Sequence, residues 1–331
     1  MSANWKNRLL EHYRDHARDL PWRVRPGSNR RPDPYHVWLS EVMLQQTTVA
    51  TVTPRFARFI EKWPEVSDLA SASREVLLAE WAGLGYYARA RNLHGCAQQV
   101  VALGGFPEDE AGLRELPGIG AYTAAAIAAI AFDADSVPID TNVERVVARI
   151  EGIEGPLAET RSEVHDAARA LWPKERAGDF AQAMMDLGAT ICRPKTPRCG
   201  ECPVSGDCAA FATGAPEAIP APKVRKARPE RRGTAWWIER DGAVWLVRRP
   251  AKGMLGGMAA LPGSEWTDGA WPEEPEQAVR HVFTHFALTL AIEPRDVPPE
   301  GEGWWQPIDR IDEAGLPTLY AKVVEAMTLV S

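Results

Sequence analysis

Two carboxylates stand where the neighbouring residue types suit acid–base and electrostatic chemistry. Glu41 lies within residues 37–44 (VWLSEVML), where apolar side chains flank it on nearly every face of a helix. Such a carboxyl group is partly desolvated, which raises its pKa and suits a general acid near neutral pH. A surface glutamate, or a buried ion pair with Arg23, is the alternative interpretation. Asp140 stands just before a helix predicted to begin near Asn142, so by itself it is most simply an N-cap.

Four of the five cysteines fall within seventeen residues, with the spacing Cys-x6-Cys-x2-Cys-x5-Cys. They are Cys192, Cys199, Cys202 and Cys208. In a reducing compartment such a group predicts a metal site rather than a disulfide framework. Four thiolates in one short loop suit a structural zinc ion or a [4Fe–4S] cluster, and the spacing alone does not separate the two. Cys96 stands apart and is expected to be a small buried hydrophobic residue.

A glycine-containing turn, residues 116–120 (LPGIG), precedes the small-residue helix predicted over 121–132. Gly118 and Gly120 let the backbone approach a ligand closely, and the helix N-terminus offers unpaired N–H groups to an anion. The combination suits a nucleic-acid phosphate bound without sequence readout. A Gly-x-Gly turn by itself is as often purely structural, but its place before Asp140 favours the phosphate site.

The net charge of −7 argues mildly against a nucleic-acid partner, but the charge is unevenly distributed. Residues 1–230 carry 28 basic and 30 acidic side chains, whereas residues 193–232 carry nine basic and four acidic ones. A polyanion responds to the charge within a Debye length of about 10 Å rather than to the total. The basic stretch beside the cysteines is therefore a candidate surface for a polyanion.

The elements that must position these residues divide into two parts. Apolar residues recur at helical spacing through residues 1–211, which predicts an all-α domain. Residues 212–232, rich in Ala, Pro, Lys and Arg, predict a linker. Residues 233–331 predict a small α+β domain. Its signals are β-prone runs at 234–238 and 244–247 separated by the hairpin signal Asp241-Gly242, an apolar strand at 282–292 and a helix at 319–329.

The sequence contains no candidate membrane span. The longest uncharged apolar run, residues 121–132, has twelve residues and is too short to cross a bilayer. Residues 1–20 are charged throughout and lack the apolar core of a signal peptide. We therefore expect a cytoplasmic protein with no membrane partner.

Four long motifs join these features in one order along the chain. They are residues 20–23 (LPWR), 38–47 (WLSEVMLQQT), 83–93 (GLGYYARARNL) and 182–189 (QAMMDLGA). With the LPGIG turn, Asp140 and the cysteines, they resemble the helix–hairpin–helix DNA glycosylases, and more closely the MutY-type adenine DNA glycosylases. The resemblance implies a mostly α glycosylase domain with a [4Fe–4S] cluster held by the loop at 192–208. It also implies that the α+β domain is Nudix-like.

The activity that the resemblance implies is removal of adenine mispaired with 8-oxoguanine or guanine, by base flipping and hydrolysis of the N-glycosidic bond. Glu41 is then the acid that protonates adenine at N7. Asp140 stabilises the cationic sugar or captures it transiently, and Tyr122 and Asn142 share the pocket. The expected partner is double-stranded DNA carrying the mispair, bound by a monomeric, nucleoid-associated enzyme.

Further positions are implied to contact the DNA in the helical domain. Gln46 and Tyr86 are similar to the residues that wedge into the duplex, although a tyrosine in a Gly-Tyr-Tyr sequence is alternatively a core residue. Trp22, Arg23 and Asp186 are similar to the lining of the adenine pocket.

The second domain is implied to recognise 8-oxoguanine through Phe283, Thr284 and His285. Much of the family has serine in place of Thr284, so the hydroxyl group is kept and a methyl group is added. No Nudix catalytic motif with its run of glutamates occurs, which argues against pyrophosphate hydrolysis.

An endonuclease III-like glycosylase acting on another base is the main alternative. Such enzymes place a nucleophilic lysine just after the turn that corresponds to residues 116–120 here. This chain has Tyr122 at that position, and residues 63–173 contain no lysine. Thr141, where the MutY type commonly has glycine, is shared with endonuclease III relatives and favours the alternative. A protein that only binds DNA or transfers electrons is a third hypothesis, against which the two carboxylates argue.

Overall fold

The computed structural model describes residues 4–222, 228–250 and 253–329. Contacts divide the chain into two compact units, Met1–Val224 and Arg225–Ser331. The mostly helical unit followed by a small α/β unit confirms the predicted fold class. The boundary falls inside the predicted linker, although residues 230–232 of that linker already belong to a strand. The basic residues predicted at 223–227 lie outside the described residues.

The first unit is built from twelve α-helices among the described residues. They are α1 (Trp5–His16), α2 (Pro34–Leu44), α3 (Val49–Lys62), α4 (Val66–Ser71), α5 (Arg74–Glu80), α6 (Ala88–Leu103), α7 (Glu110–Arg114), α8 (Ala121–Phe132), α9 (Thr141–Glu151), α10 (Leu157–Leu171), α11 (Ala177–Asp186) and α12 (Ala209–Ala212). A π-helical turn, Leu187–Ile191, continues α11 towards the cysteine loop. No described helix is long and apolar enough to cross a membrane.

Helices α2 and α8 are apolar on all sides because neighbouring helices surround them. Asp33 caps α2 by accepting a hydrogen bond from the Tyr35 N–H at 2.8 Å, and Pro34 begins the helix where no N–H is required. Residues 37–43 of α2 are all buried. Gly178 of α11 lets that helix approach α8 closely, since a Cβ there would collide with the α8 backbone.

Two hydrophobic cores meet at α8. The first core contains Trp38 and Trp81 and is built mainly from α2 to α8. The second contains Trp5 and is built mainly from α1, α9, α10 and α11. Ala128 belongs to the first core and Ala129 to the second. The junction of the cores therefore brings together elements that are distant in sequence.

The second unit consists of short strands and one α-helix among its described residues. They are β1 (Glu230–Trp237), β2 (Glu239–Arg240), β3 (Ala243–Arg248), β4 (Ala259–Ala260), β5 (Thr267–Asp268), β6 (Ala278–Val282), β7 (Ala287–Pro294), β8 (Trp304–Pro307) and α13 (Thr318–Thr328). One sheet has the order β5-β1-β7-β6, with β1 parallel to β7. The other contains β2, β3 and β4, with β8 also paired to β3. Helix α13 confirms the predicted closing helix.

Two strand predictions in this unit were wrong in detail. Asp241 and Gly242 do form a tight turn, with φ of 51° and 71°, but the turn joins β2 to β3. The predicted run at 234–238 lies mostly in β1, in the other sheet. The single strand predicted at 282–292 is a hairpin of β6 and β7, because the Phe283 N–H bonds to the Phe286 carbonyl at 2.9 Å and the chain reverses.

Candidate active site

A cavity of about 340 Å³ opens in the helical unit, with walls from α2, α8, the start of α9 and the segment after α1. Its polar lining residues are Arg18, Trp22, Arg23, Ser40, Glu41, Gln45, Thr47, Tyr122, Asp140, Asn142 and Gln182. The structure thus brings together six of the residues that the sequence singled out. Arg18 and Gln182 were not predicted as site residues.

Glu41 lies in this cavity with only 9% of its surface exposed. Burial raises the pKa of its carboxyl group to about 7, and the negative charge of Asp140 adds to the rise. A hydrogen bond from Tyr122 and the charge of Arg23 act in the opposite direction. Glu41 is therefore a carboxyl group that holds its proton near neutral pH, as its apolar sequence neighbours predicted.

The two alternative interpretations of Glu41 were wrong. The residue is buried rather than on the surface, and the partner of Arg23 is a different carboxylate. The Arg23 guanidinium donates to Asp186 Oδ2 at 2.7 Å, and Arg18 Nε donates to Asp186 Oδ1 at 2.5 Å. Burial acts to raise the pKa of Asp186, but these two arginines outweigh it and hold the pKa below its usual value.

Asp186 is therefore the anchor of two cavity-lining arginines and is not itself among the lining residues. Its predicted place was the wall of the pocket. The structure puts Arg18 and Arg23 on that wall, with Asp186 fixing both guanidinium groups. Because the guanidinium groups of Arg18 and Arg23 donate to the same carboxylate, their planes are fixed where they line the cavity.

Tyr122 lines the cavity beside Glu41 and donates its hydroxyl hydrogen to that carboxyl group. Burial raises the pKa of Tyr122 well above its usual value, and the charges of Glu41 and Asp140 raise it further. The phenol therefore stays protonated and acts as a hydrogen-bond donor.

Asp140 is both an N-cap and a cavity residue. Its Oδ1 accepts a hydrogen bond from the Val143 N–H at 2.7 Å, which confirms the predicted cap of α9. Its Oδ2 accepts from Asn142 Nδ2 at 2.9 Å. The two explanations that the sequence left open are compatible, because the cap fixes one carboxylate oxygen while the group still faces the cavity.

A buried arginine that the sequence did not single out links this site to the cysteine loop. Arg145 donates to Asn142 Oδ1 at 2.9 Å and to the Gly188 carbonyl at 2.8 Å. Its Nε donates to the Cys192 carbonyl at 2.8 Å. A Cβ on Gly188 would lie 2.6 Å from the Asn142 Cβ, so only glycine permits this approach. Asn142 is thus held from both sides while it donates to Asp140.

Comparisons with known proteins decide the family. Residues 39–174 match the HhH-GPD superfamily of base excision DNA repair proteins, and residues 234–326 match the NUDIX domain. The adenine DNA glycosylase of Mus musculus is 35% identical, over 91% of this chain and 73% of its own length. That of Mycolicibacterium smegmatis is 43% identical, over 72% of this chain and 82% of its own.

The chain belongs to the adenine DNA glycosylase family. Among solved structures it is similar to a thermostable thymine-DNA glycosylase, with a TM-score of 0.54, 26% identity, and coverage of 63% of this chain and 95% of that one. The family matches and the adenine DNA glycosylase relatives confirm the resemblance to MutY-type adenine DNA glycosylases that the sequence motifs indicated.

The resemblance stated from the sequence predicts a [4Fe–4S] cluster at the four clustered cysteines. Within the described ranges, no set of three or more His, Cys, Asp or Glu side chains is arranged as a metal site. Cys192, Cys199, Cys202 and Cys208 nevertheless line one small apolar pocket. Arg149 donates to Cys192 Sγ at 3.3 Å from one side of it. Four sulfur donors around one pocket fit such a cluster in number and chemistry.

Four of the predicted DNA-contacting residues are not among those that line the cavity: Gln46, Tyr86, Gly118 and Gly120. Gly118 has φ of 78° and would bring a Cβ within 2.7 Å of Asn92 Cβ, so glycine is required in the turn. Gly120 is the N-cap of α8 and supplies no side-chain cap, so the first N–H groups of α8 lack a side-chain partner at the cap. Gln46 and Tyr86 both adopt left-handed backbone, with φ of 55° and 48°.

The predicted 8-oxoguanine-recognition residues lie in the second unit, at the turn between β6 and β7. Thr284 and His285 are exposed. Phe283 packs its ring 4.6 Å from His281, 4.8 Å from Phe286 and 5.7 Å from Trp266, measured between centroids. The turn therefore projects polar side chains from a fixed aromatic base.

Proposed function

We propose that this chain removes adenine mispaired with 8-oxoguanine or guanine from duplex DNA, by hydrolysing the N-glycosidic bond in base excision repair. Membership of the adenine DNA glycosylase family supports the adenine chemistry. The observation that carries the proposal is that Glu41, a buried carboxyl group whose pKa is raised to about 7, and Asp140 line the same cavity of about 340 Å³. Paired carboxylates of this kind divide the work of breaking a glycosidic bond.

Glu41 supplies the proton in this mechanism. A base inside the duplex is out of reach, so adenine must first flip into the cavity beside Trp22 and Arg23. Adenine is a poor leaving group, and protonation at N7 by Glu41 lets it depart as a neutral base. Because burial raises the pKa of Glu41 to about 7, a substantial fraction of the enzyme carries this proton at neutral pH and can transfer it to the base.

Asp140 supplies the negative charge. As the glycosidic bond breaks, positive charge develops on the sugar, and a carboxylate in a water-poor cavity stabilises it strongly. Asn142 and the Val143 N–H fix the carboxylate, so it needs no reorganisation as the charge develops. Water then completes the hydrolysis.

The absence of a lysine beside the cavity separates this proposal from the endonuclease III-like alternative. Tyr122 follows the turn at residues 116–120, where the alternative has its lysine, and residues 63–173 contain no lysine that could attack the sugar. Thr141 is shared with the alternative but lies at the first turn of α9, where Asp140 already provides the cap. We infer a monofunctional glycosylase that acts as a monomer.

We infer that Cys192, Cys199, Cys202 and Cys208 hold a [4Fe–4S] cluster, whose contribution when bound is to order the surrounding loop. Arg193, Lys195 and Arg198 of that loop are exposed. With the N-terminus of α8, these cations supply contacts to phosphates that carry no sequence information. The second unit then distinguishes the opposite base through Thr284 and its neighbours.

Single-turnover assays test the proposed function. We expect adenine release from duplexes that pair it with 8-oxoguanine or guanine, and release at least roughly tenfold slower opposite cytosine. Thymine or an oxidised pyrimidine in the same duplex is the matched comparison. Release of those bases in preference to adenine would establish the endonuclease III-like alternative instead.

The rate of base release should depend on pH through Glu41. Since its pKa is raised from the usual 4.5 to about 7, the protonated acid dominates below pH 7 and is lost above it. We expect a plateau near pH 6 and a fall approaching tenfold per pH unit above about pH 8. The stability that protonated Glu41 contributes is complete below pH 4.5 and is lost as the pH rises through 7. A single-turnover profile that stays level to pH 9 would contradict the assignment.

A further inference from the structure

A half-buried arginine, Arg89 of α6, lies outside the cavity and has no role in the mechanism above. Its guanidinium reaches the C-terminal end of α2, the helix that carries Glu41. Nη1 donates to the Val42 carbonyl at 2.8 Å and to the Met43 carbonyl at 3.1 Å. The last carbonyls of a helix have no partner within it, so a cation here both caps the helix and complements its dipole.

The other side of the same guanidinium holds the loop that carries Tyr86. Nη2 donates to the Leu84 carbonyl at 2.7 Å and to the Gly85 carbonyl at 3.3 Å. The guanidinium carbon lies 5.7 Å from the centroid of the Tyr86 ring and 5.3 Å from that of Trp81. Trp81 Nε1 also donates to the Gly85 carbonyl at 3.0 Å.

The loop needs this support because its backbone is unusual. Gly83, Gly85 and Tyr86 have φ of 89°, 69° and 48°. Left-handed backbone at a tyrosine persists only where the surroundings enforce it. Tyr86 is held in this conformation with 51% of its surface exposed, so the support acts on a side chain that faces outwards.

We propose that Arg89 is a positioning residue that fixes Tyr86 relative to Glu41, so that opening of the duplex at Tyr86 delivers the base to the acid. The inference rests on the proposed function. A planar guanidinium with two pairs of N–H donors bridges two pairs of carbonyls, which a lysine ammonium does not reproduce. Arg89 would thus act on base flipping and not on bond cleavage.

The test compares Arg89→Met and Arg89→Lys with Arg169→Met, which removes an exposed arginine paired with Asp166 on α10. Two duplexes are used: adenine opposite 8-oxoguanine, and adenine opposite an abasic site, where the base is already poorly stacked. We expect Arg89→Met to lower the single-turnover rate on the first duplex by roughly 10–100-fold and on the second by less than about threefold. Fluorescence of 2-aminopurine in place of adenine should show reduced flipping in the same proportion.

A double-mutant cycle with Tyr86→Ala shows whether Arg89 acts through that residue. Arg89→Met should cause little further loss in the Tyr86→Ala background. Equal losses on the two duplexes, or full additivity with Tyr86→Ala, would overturn the inference. If Arg89→Met does not fold, the Arg89→Lys variant is judged by the same criteria. If the wild type releases adenine from neither duplex, the proposed function itself is refuted.

Discussion

Replacement of Glu41 by glutamine is expected to slow adenine release by roughly 10²–10⁴-fold under single-turnover conditions, equivalent to about 3–5 kcal/mol. The amide has nearly the same shape as the carboxyl group and can accept the hydrogen bond from Tyr122, but it has no proton to transfer to the base. The measurement is strand scission by alkali at the abasic product, with enzyme in excess over a duplex pairing adenine with 8-oxoguanine.

Glu163→Gln is the matched control, since Glu163 is an exposed glutamate on α10 in the same unit. It should retain the wild-type rate. Glu41→Gln should bind the duplex with wild-type affinity and melt at the same temperature or higher, because it removes a buried ionisable group. Base release at the wild-type rate by the folded Glu41→Gln variant would refute the acid role.

The burial of Glu41 could be predicted from sequence because it follows from local pattern. A helix that is apolar on all faces must be surrounded, and α2 is. Its partners could not be predicted in the same way. Arg23 pairs with Asp186, 163 residues away, and Tyr122 rather than an arginine meets Glu41. Which of several charges meet depends on how α2, α8 and α11 pack, and no local pattern carries that information.

The two units of the fold also differ in how far local sequence pattern predicts them. Helices of the first unit have a strong period and capping residues, as Asp140 and Gly152 show at the two ends of α9. In the second unit, β1 pairs with β7 across more than fifty residues. The apolar run at 282–292 conceals a turn, because Phe283 and Phe286 are apolar residues that pack against each other in it, with ring centroids 4.8 Å apart. Composition alone does not mark such a break.

Three arginines, Arg18, Arg89 and Arg145, show what sequence reasoning missed. Each is one of at least two arginines in its helix or segment, and no spacing signal distinguishes it from the others. Their importance lies in hydrogen bonds to groups distant in the chain, such as the bond from Arg145 to the Cys192 carbonyl. The available signal was that an arginine on the buried face of a helix, as at Arg145 in α9, must find several acceptors.

Asp140 allows the structural and chemical roles of one side chain to be separated. Asp140→Asn keeps an oxygen that can accept from the Val143 N–H, because asparagine is as good an N-cap as aspartate. We expect the single-turnover rate to fall by roughly 10²–10³-fold, since the negative charge beside the cationic sugar is gone. The melting temperature should change by less than about 3 °C, which corresponds to less than about 1 kcal/mol in a unit of this size.

Asp140→Ala removes the cap as well, and should cost a further 0.5–2 kcal/mol or so of stability with little additional loss of rate. Asp109 provides the control, because its Oδ1 caps α7 by accepting from the Gly112 N–H at 2.8 Å. Asp109→Asn should preserve the rate at saturating DNA. If Asp140→Asn releases adenine as fast as the wild type while Asp140→Ala does not, the residue acts only as the cap of α9. A large loss in both variants, with stability retained in the first, assigns the carboxylate to the chemistry.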